Sequence, residues 1–285
     1  MCELEDCMNP QGTAVSQLST QSLKSLGIVH PPDWQMPQGG AGRQFTNAFR
    51  PEDRNTQSDP ARVFRSASSN KFHTDSARVI SEKLEAFLDK MSKAVATGWG
   101  MWMTSSMVAG VMVNGPVAVF SPGCLQGPPM TGLILSAGAP MSTPNESRYT
   151  VAIAKAIGTS WQSWHLGLTG TLSYPPCAVF PGPVAAGIPN IPIPVAALSS
   201  PGESMLKKSA LSSLMMANYG APDHAYASEI FDSMADAFDQ TFTTWKTSTI
   251  LTNVLATGAV PTWSPAWMPV APVVGGVGMG ASCLV

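Results

Sequence analysis

Apolar residues recur at helical spacing in four separate stretches of this chain. Thr74, Asp75 and Ser76 are residue types that cap helices. Behind them Val79, Ile80, Leu84, Phe87, Leu88, Met91 and Val95 fall three or four apart, which predicts a helix running to about Met103. Gly98 and Gly100 interrupt it on either side of Trp99. Each costs about 1 kcal/mol relative to Ala, and glycines in that setting let another backbone come close. A second helix is expected from near Ser147, carrying Val151, Ile153, Ala154, Ile157, Trp161 and Trp164. A third helical region opens at Ser204 with Met205, Leu206, Leu211, Leu214 and Met215 on one face, and stops near Gly220-Ala221-Pro222. Another helix follows from about Asp223 to Leu255 with Ile230, Phe231, Met234, Phe238, Phe242 and Trp245.

Between these helices charge disappears. Residues 103–145, 156–202 and 247–285 contain no Asp, Glu, Lys or Arg. In the second stretch Pro175, Pro176, Pro181, Pro183, Pro189, Pro192 and Pro194 forbid regular helix and favour turns or polyproline-like backbone. The longest apolar run, Met107 to Phe120, is broken by Asn114, Gly115 and Pro116, and falls short of the ~20 residues that span a bilayer as a helix. Residues 1–75 are polar and show no sustained periodicity. They read either as a disordered tail or as an extended arm that orders along neighbouring subunits, with Trp34, Phe45 and Phe64 as anchors.

Three of the helical stretches match one another. At a constant offset of 143 positions Asp89 meets Asp232, Met91 meets Met234, Trp102 meets Trp245, Gly115 meets Gly258, Phe120 meets Trp263, and Pro122 meets Pro265. At an offset of 60 to 62, Trp99 and Trp102 meet Trp161 and Trp164, and Val119-Phe120 meets Val179-Phe180. The unit is a helix ending in two aromatics three apart, which share one face, followed by an uncharged segment. A single such helix has nothing to bury its face against, so copies must pack on one another. The expectation is a mainly α fold with long Pro/Gly-rich irregular segments, in three diverged helix-plus-extended-segment repeats that stack in a row or surround a pseudo-threefold centre. The divisions are an arm (1–75), repeat 1 (76–145), repeat 2 (146–202), and repeat 3 with an extra leading helix (203–285). The packing and assembly positions are Trp99, Trp102, Phe120, Trp161, Trp164, Phe180, Phe242, Trp245, Trp263 and Trp267.

Composition sharpens this picture. Of 285 residues only 12 % are charged, against roughly 25 % in soluble domains, while 44 % are apolar and Gly and Pro number 25 each. That is too apolar for a solvated coil, and partners covering much of the surface would keep such a chain in solution. A net charge of −2 gives no basic footprint for nucleic acid. Cys2, Cys7, Cys124, Cys177 and Cys283 are odd in number and widely spaced. The acidic start, Met-Cys-Glu-Leu-Glu-Asp-Cys, lacks the apolar core of a signal peptide, so reduced cytosolic thiols are the expectation.

Chemistry is sparse. His30, His73, His165 and His224 have no metal-ligand spacing with Cys, Asp or Glu. His165 near Cys177 is a conceivable nucleophile pair, and Glu82, Glu85 and Asp89 share a helix face. A helix-end histidine and an exposed charged face explain both. Gly275-Gly276-Val277-Gly278-Met279-Gly280 superficially resembles a phosphate loop but lacks the following Lys-Ser/Thr. No catalytic, cofactor-binding or metal residue is assigned.

One stretch carries a resemblance. Trp161-Gln162-Ser163-Trp164, Ala178-Val179-Phe180-Pro181-Gly182-Pro183 and Ile188-Pro189-Asn190-Ile191-Pro192 resemble uncharacterised structural proteins of phage-tail-like contractile injection particles. The resemblance covers about 45 residues, mainly within 160–200. It implies a non-enzymatic, multi-copy or homo-oligomeric subunit in a baseplate, cap or tube end, with other particle subunits as partners and no cofactor. Such a subunit is assembled in the cytoplasm and stays there or leaves with the particle. The uncharged segments keep a second expectation open, a membrane-associated or pore-forming protein; the prolines and the lack of a continuous apolar span oppose it.

Overall fold

The computed structural model describes residues 11–26, 29–30, 65–66, 71–175, 184–221, 225–260 and 273–285. Among them six α-helices alternate between short and long: α1 Gln11–Ser25, α2 Lys71–Ser105, α3 Met130–Ser136, α4 Pro144–Leu166, α5 Lys208–Tyr219 and α6 Ala227–Ser248. Each short helix packs against two long ones: α1 against α2 and α6, α3 against α2 and α4, α5 against α4 and α6. The long helices α2, α4 and α6 therefore enclose the centre.

Local chemistry sets several boundaries. The Thr143 hydroxyl accepts the Glu146 backbone N–H, the Glu146 carboxylate accepts the Thr143 N–H, and Pro144 occupies the first turn of α4. This reciprocal cap satisfies two donors that a helix start leaves unpaired. Helix α5 stops at Gly220, whose φ of 70° is left-handed and comes without steric penalty to glycine. Gly98 permits the close crossing of α2 and α3, since a Cβ there would lie 2.9 Å from the Ile134 backbone nitrogen.

The strands are β1 Val29–His30, β2 Arg65–Ser66, β3 Met107–Asn114, β4 Val117–Phe120, β5 Leu125–Gln126, β6 Gly170–Ser173, β7 Val184–Pro189, β8 Ile193–Pro194, β9 Ile250–Leu251, β10 Leu255–Ala259 and β11 Val274–Ala281. β1 and β2 form a short parallel pair, and β8 and β9 a short antiparallel one. The main sheet runs β6-β4-β3-β11-β10-β7, with β5 added beside β3, and every pairing in it is antiparallel. It is curled. Tyr174, just past β6, donates its hydroxyl to the Val254 carbonyl (3.1 Å) just before β10, four strands away in the order. Ile191 N–H, just past β7, donates to the Ser173 carbonyl of β6 (2.7 Å), so the two ends of the sheet approach each other.

The fold class expected from the sequence is therefore corrected: this is a mixed α/β chain, not a mainly α array of helix-plus-irregular-segment repeats. The uncharged segments after α2, α4 and α6 supply the strands of one shared sheet. The alternation was present in Met107–Asn114, where Val108, Val111 and Val113 point inward and Met107, Met112 and Asn114 outward, but Gly110 at φ 78° shifts its phase. Gly276 and Gly278 in β11 are inward positions where the sheet closes tightly: a Cβ on Gly276 would meet Val273 Cγ1 at 2.4 Å and the Thr257 carbonyl at 2.6 Å. In residues 1–75, to which the sequence reading gave no element, Gln11–Ser25 is helical and docks by Ser16 Oγ to Asp89 (2.7 Å) and Ser22 Oγ to Asp236 (2.9 Å). Trp34, Phe45 and Phe64 lie outside the described residues.

Candidate functional site

The aromatic positions singled out in the sequence are buried in one cluster. Trp99, Trp102, Trp161, Trp164, Phe242 and Trp245 are each at most 1 % exposed. The three rings that begin the pairs, Trp99, Trp161 and Phe242, are mutual neighbours at centroid distances of 5.0, 6.0 and 6.4 Å. The second ring of each pair meets the first ring of another helix: Trp102 to Trp161 at 5.0 Å, Trp164 to Phe242 at 5.1 Å, and Trp245 to Trp99 at 5.2 Å. Most of these contacts are edge-on, the arrangement aromatic quadrupoles favour. Trp245 Nε1 donates to Met103 Sδ at 3.3 Å. Phe120 is buried on β4. None of these seven side chains faces solvent, so their role is in the core. Phe180, Trp263 and Trp267 lie outside the described residues.

His165 is 5 % exposed and its Nδ1 lies 3.1 Å from the Leu125 carbonyl, which ties α4 to β5. Loss of solvation lowers its pKa below the ordinary imidazole value. It lines a small half-open cavity with Gln126, Pro129, Met130, Trp161 and Gln162. Among the described residues no carboxylate or thiol lines that cavity. Cys177 lies outside the described residues. Cys124 and Cys283 are buried free thiols, and burial raises the Cys283 pKa away from the thiolate. Among the described residues no group of His, Cys, Asp or Glu is placed to hold a metal ion, and no helix is long and apolar enough to cross a membrane.

The unusual surface is the outer face of the sheet. Met112 is paired with Val119 on one side and Val277 on the other, so the three form a row across β4, β3 and β11. Leu255 is paired with Met279, and Val117 and Val184 extend the apolar surface toward both ends. All are more than two-fifths exposed, Met112 at 60 % and Met279 at 53 %. No strand of this sheet contains a charged residue, because every one lies in a charge-free stretch of the sequence. Charge sits on the helices instead, where Lys207–Asp239 (3.0 Å) and Lys208–Asp236 (3.4 Å) pair α5 and its approach with α6. Sequence reasoning did not pick out this face. The signal was the inside-outside alternation of Met107–Asn114 and Val117–Phe120, read together with the missing charge.

No family model, curated protein or solved structure matches the chain.

Proposed function

We propose that this chain is a non-enzymatic structural subunit of a large macromolecular assembly, built in through the outer face of its sheet. The observation that carries the reading is the row Val119–Met112–Val277 with its neighbours Met279 and Leu255: exposed, apolar, and without a charged residue in the strands that bear it. Contiguous apolar surface of this kind on a folded protein marks an interaction site. A phage-tail-like contractile injection particle is the setting implied by the resemblance in residues 160–200, and assembly in the cytoplasm follows from that setting. The test is the native mass of the protein purified from its source in mild buffer without detergent. Co-migration with a particle of about a megadalton, far above one chain's 29.9 kDa, is expected of a subunit held by large permanent interfaces. A free monomer near 29.9 kDa overturns the reading.

A further inference from the structure

We infer that the curled sheet enters its partner as a peg: its occupant is an uncharged, apolar-lined concave socket in another protein of the assembly. The inference rests on the assembly reading above and specifies what covers the sheet.

Three observations choose this occupant. First, the apolar surface is a belt. Val119, Met112, Val277, Met279, Leu255 and Val184 lie on five of the six strands in the order, β4, β3, β11, β10 and β7. The Tyr174–Val254 hydrogen bond across the interior and the Ile191–Ser173 bond between the ends show how far the sheet is rolled. The belt is on the convex side. Two convex faces touch along a strip and bury far less than the ~800 Å² per partner of a stable interface, so a second copy meeting face to face fits poorly. A concave partner fits well.

Second, the belt has nothing for a charged partner to recognise. Without Lys or Arg in these strands it offers no phosphate contacts, which dominate nucleic-acid affinity. A partner's charge brought onto the belt would be stripped of water with no opposite charge to meet. The complement of an uncharged surface is another uncharged surface.

Third, among the described residues the belt lacks the features of a surface that rests in lipid. Such surfaces carry Trp or Tyr at the headgroup level and Lys or Arg around the rim. Among the described residues the exposed large apolar side chains are Met, Val, Leu and Ile. Methionine is the most adaptable of these in packing against an irregular protein surface.

Peroxide footprinting tests the inference, because oxidation to the sulfoxide follows methionine exposure. Met112 and Met279 report on the belt. Met141, 48 % exposed in the turn before α4, reports on the opposite end, since α4 runs 23 residues from there toward the sheet. In the isolated chain all three should oxidise. In the native assembly Met112 and Met279 should oxidise about tenfold more slowly, and Met141 at its isolated rate. Equal oxidation of Met112 and Met279 in both states overturns the peg while leaving assembly membership intact. Protection of Met112 and Met279 already in the isolated chain shows a second copy on the belt and overturns the socket. A chain recovered from its source only as a monomer removes the assembly reading and the peg with it. As a second arm, Met112→Leu should enter the assembly like the wild type and Met112→Lys about tenfold less, because only the latter places a charge in the socket. Equal incorporation of both overturns the uncharged socket.

Discussion

The two halves of this molecule handle apolar surface in opposite ways. In the helical half the largest side chains face inward: five tryptophans and three phenylalanines, Trp99, Trp102, Trp161, Trp164, Trp245, Phe231, Phe238 and Phe242, are at most 1 % exposed, while Asp, Glu, Lys and Arg cover the outside. In the sheet half the interior is lined by small residues such as Val108, Val111, Ala118, Gly276 and Gly278, and the outside carries Met and Val without charge. A helix can hide a wide aromatic stripe because only one side of it faces the core. A tightly curled sheet has little interior volume, so glycines face inward at Gly276 and Gly278 and apolar side chains are carried on the outside as well. There they are either a liability or an interface. The difference says that the helical half holds the chain together and the sheet half is the part available to something else.

The hardest test of that division is to remove the centre of the helical half. Trp161 touches Trp99, Trp102, Trp164, Phe238, Phe242 and Trp245. Trp161→Ala should lose about 3–5 kcal/mol of unfolding free energy, the usual loss for a large buried aromatic, measured by urea denaturation with circular dichroism. A loss below about 1 kcal/mol would mean that the aromatic cluster does not hold the helices together.

The counterpart in the sheet is Gly276→Ala. The added methyl meets Val273 and the Thr257 carbonyl, and backbone cannot swing aside as a flexible side chain can. Overpacking of this kind costs typically about 1–3 kcal/mol, so the effect should be clear but smaller than that of Trp161→Ala. A neutral or stabilising result would show the interior to be looser than the glycine contacts indicate.

What could be read from the sequence divides along the same line. Helices α2, α4 and α6 were legible because their stripes are local and long, and the stop of α5 because Gly220-Ala221-Pro222 is a local signal. The sheet was not. Met107–Asn114 and Val117–Phe120 looked like one broken apolar run, since Gly115-Pro116 reads equally as a hairpin turn or as a loop. The pairing of β3 with β11 joins residues more than 160 positions apart, which no local pattern encodes. The seven residues of α3 are too few to show a period. For the candidate site, the tryptophans were conspicuous but turned inward, whereas the exposed Met and Val of the sheet drew no notice because none of them is an acid, a base or a catalytic nucleophile.

A pH titration probes the join between the halves. His165 on α4 is bonded to Leu125 of β5, and burial lowers its pKa. The unfolded chain therefore takes up this proton more readily than the folded one. The stability His165 contributes is fully present above the ordinary imidazole value near 6.5 and is lost as pH falls below it. The slope from one group is at most about 1.4 kcal/mol per pH unit. The carboxylate of Asp89, whose pKa is lowered by hydrogen bonds from Lys93 and Ser16, loses its contribution only at more acidic pH, so the window from about 6.5 to 5 separates His165 from that carboxylate. The urea midpoint should fall across that window, and His165→Gln should flatten the fall. An unchanged slope in the variant would take His165 out of the join.

The smallest expected effect separates the halves most sharply. Met112 and Val119 are paired neighbours on the outer face, exposed by 60 % and 50 %. If they serve the fold, trimming their apolar surface should destabilise the isolated chain as a core change does. If they serve a partner, the isolated chain should not register it. The double variant Met112→Gln, Val119→Thr keeps the size of both side chains and, at Val119, β-branching, so strand preference is nearly unchanged. Surface changes away from caps, turns and cores usually stay within about 0.5 kcal/mol, and the urea midpoint of the isolated variant should match the wild type within that range. A loss above about 1.5 kcal/mol would place these residues among the interactions that hold the fold, and the contrast between the two halves would fail.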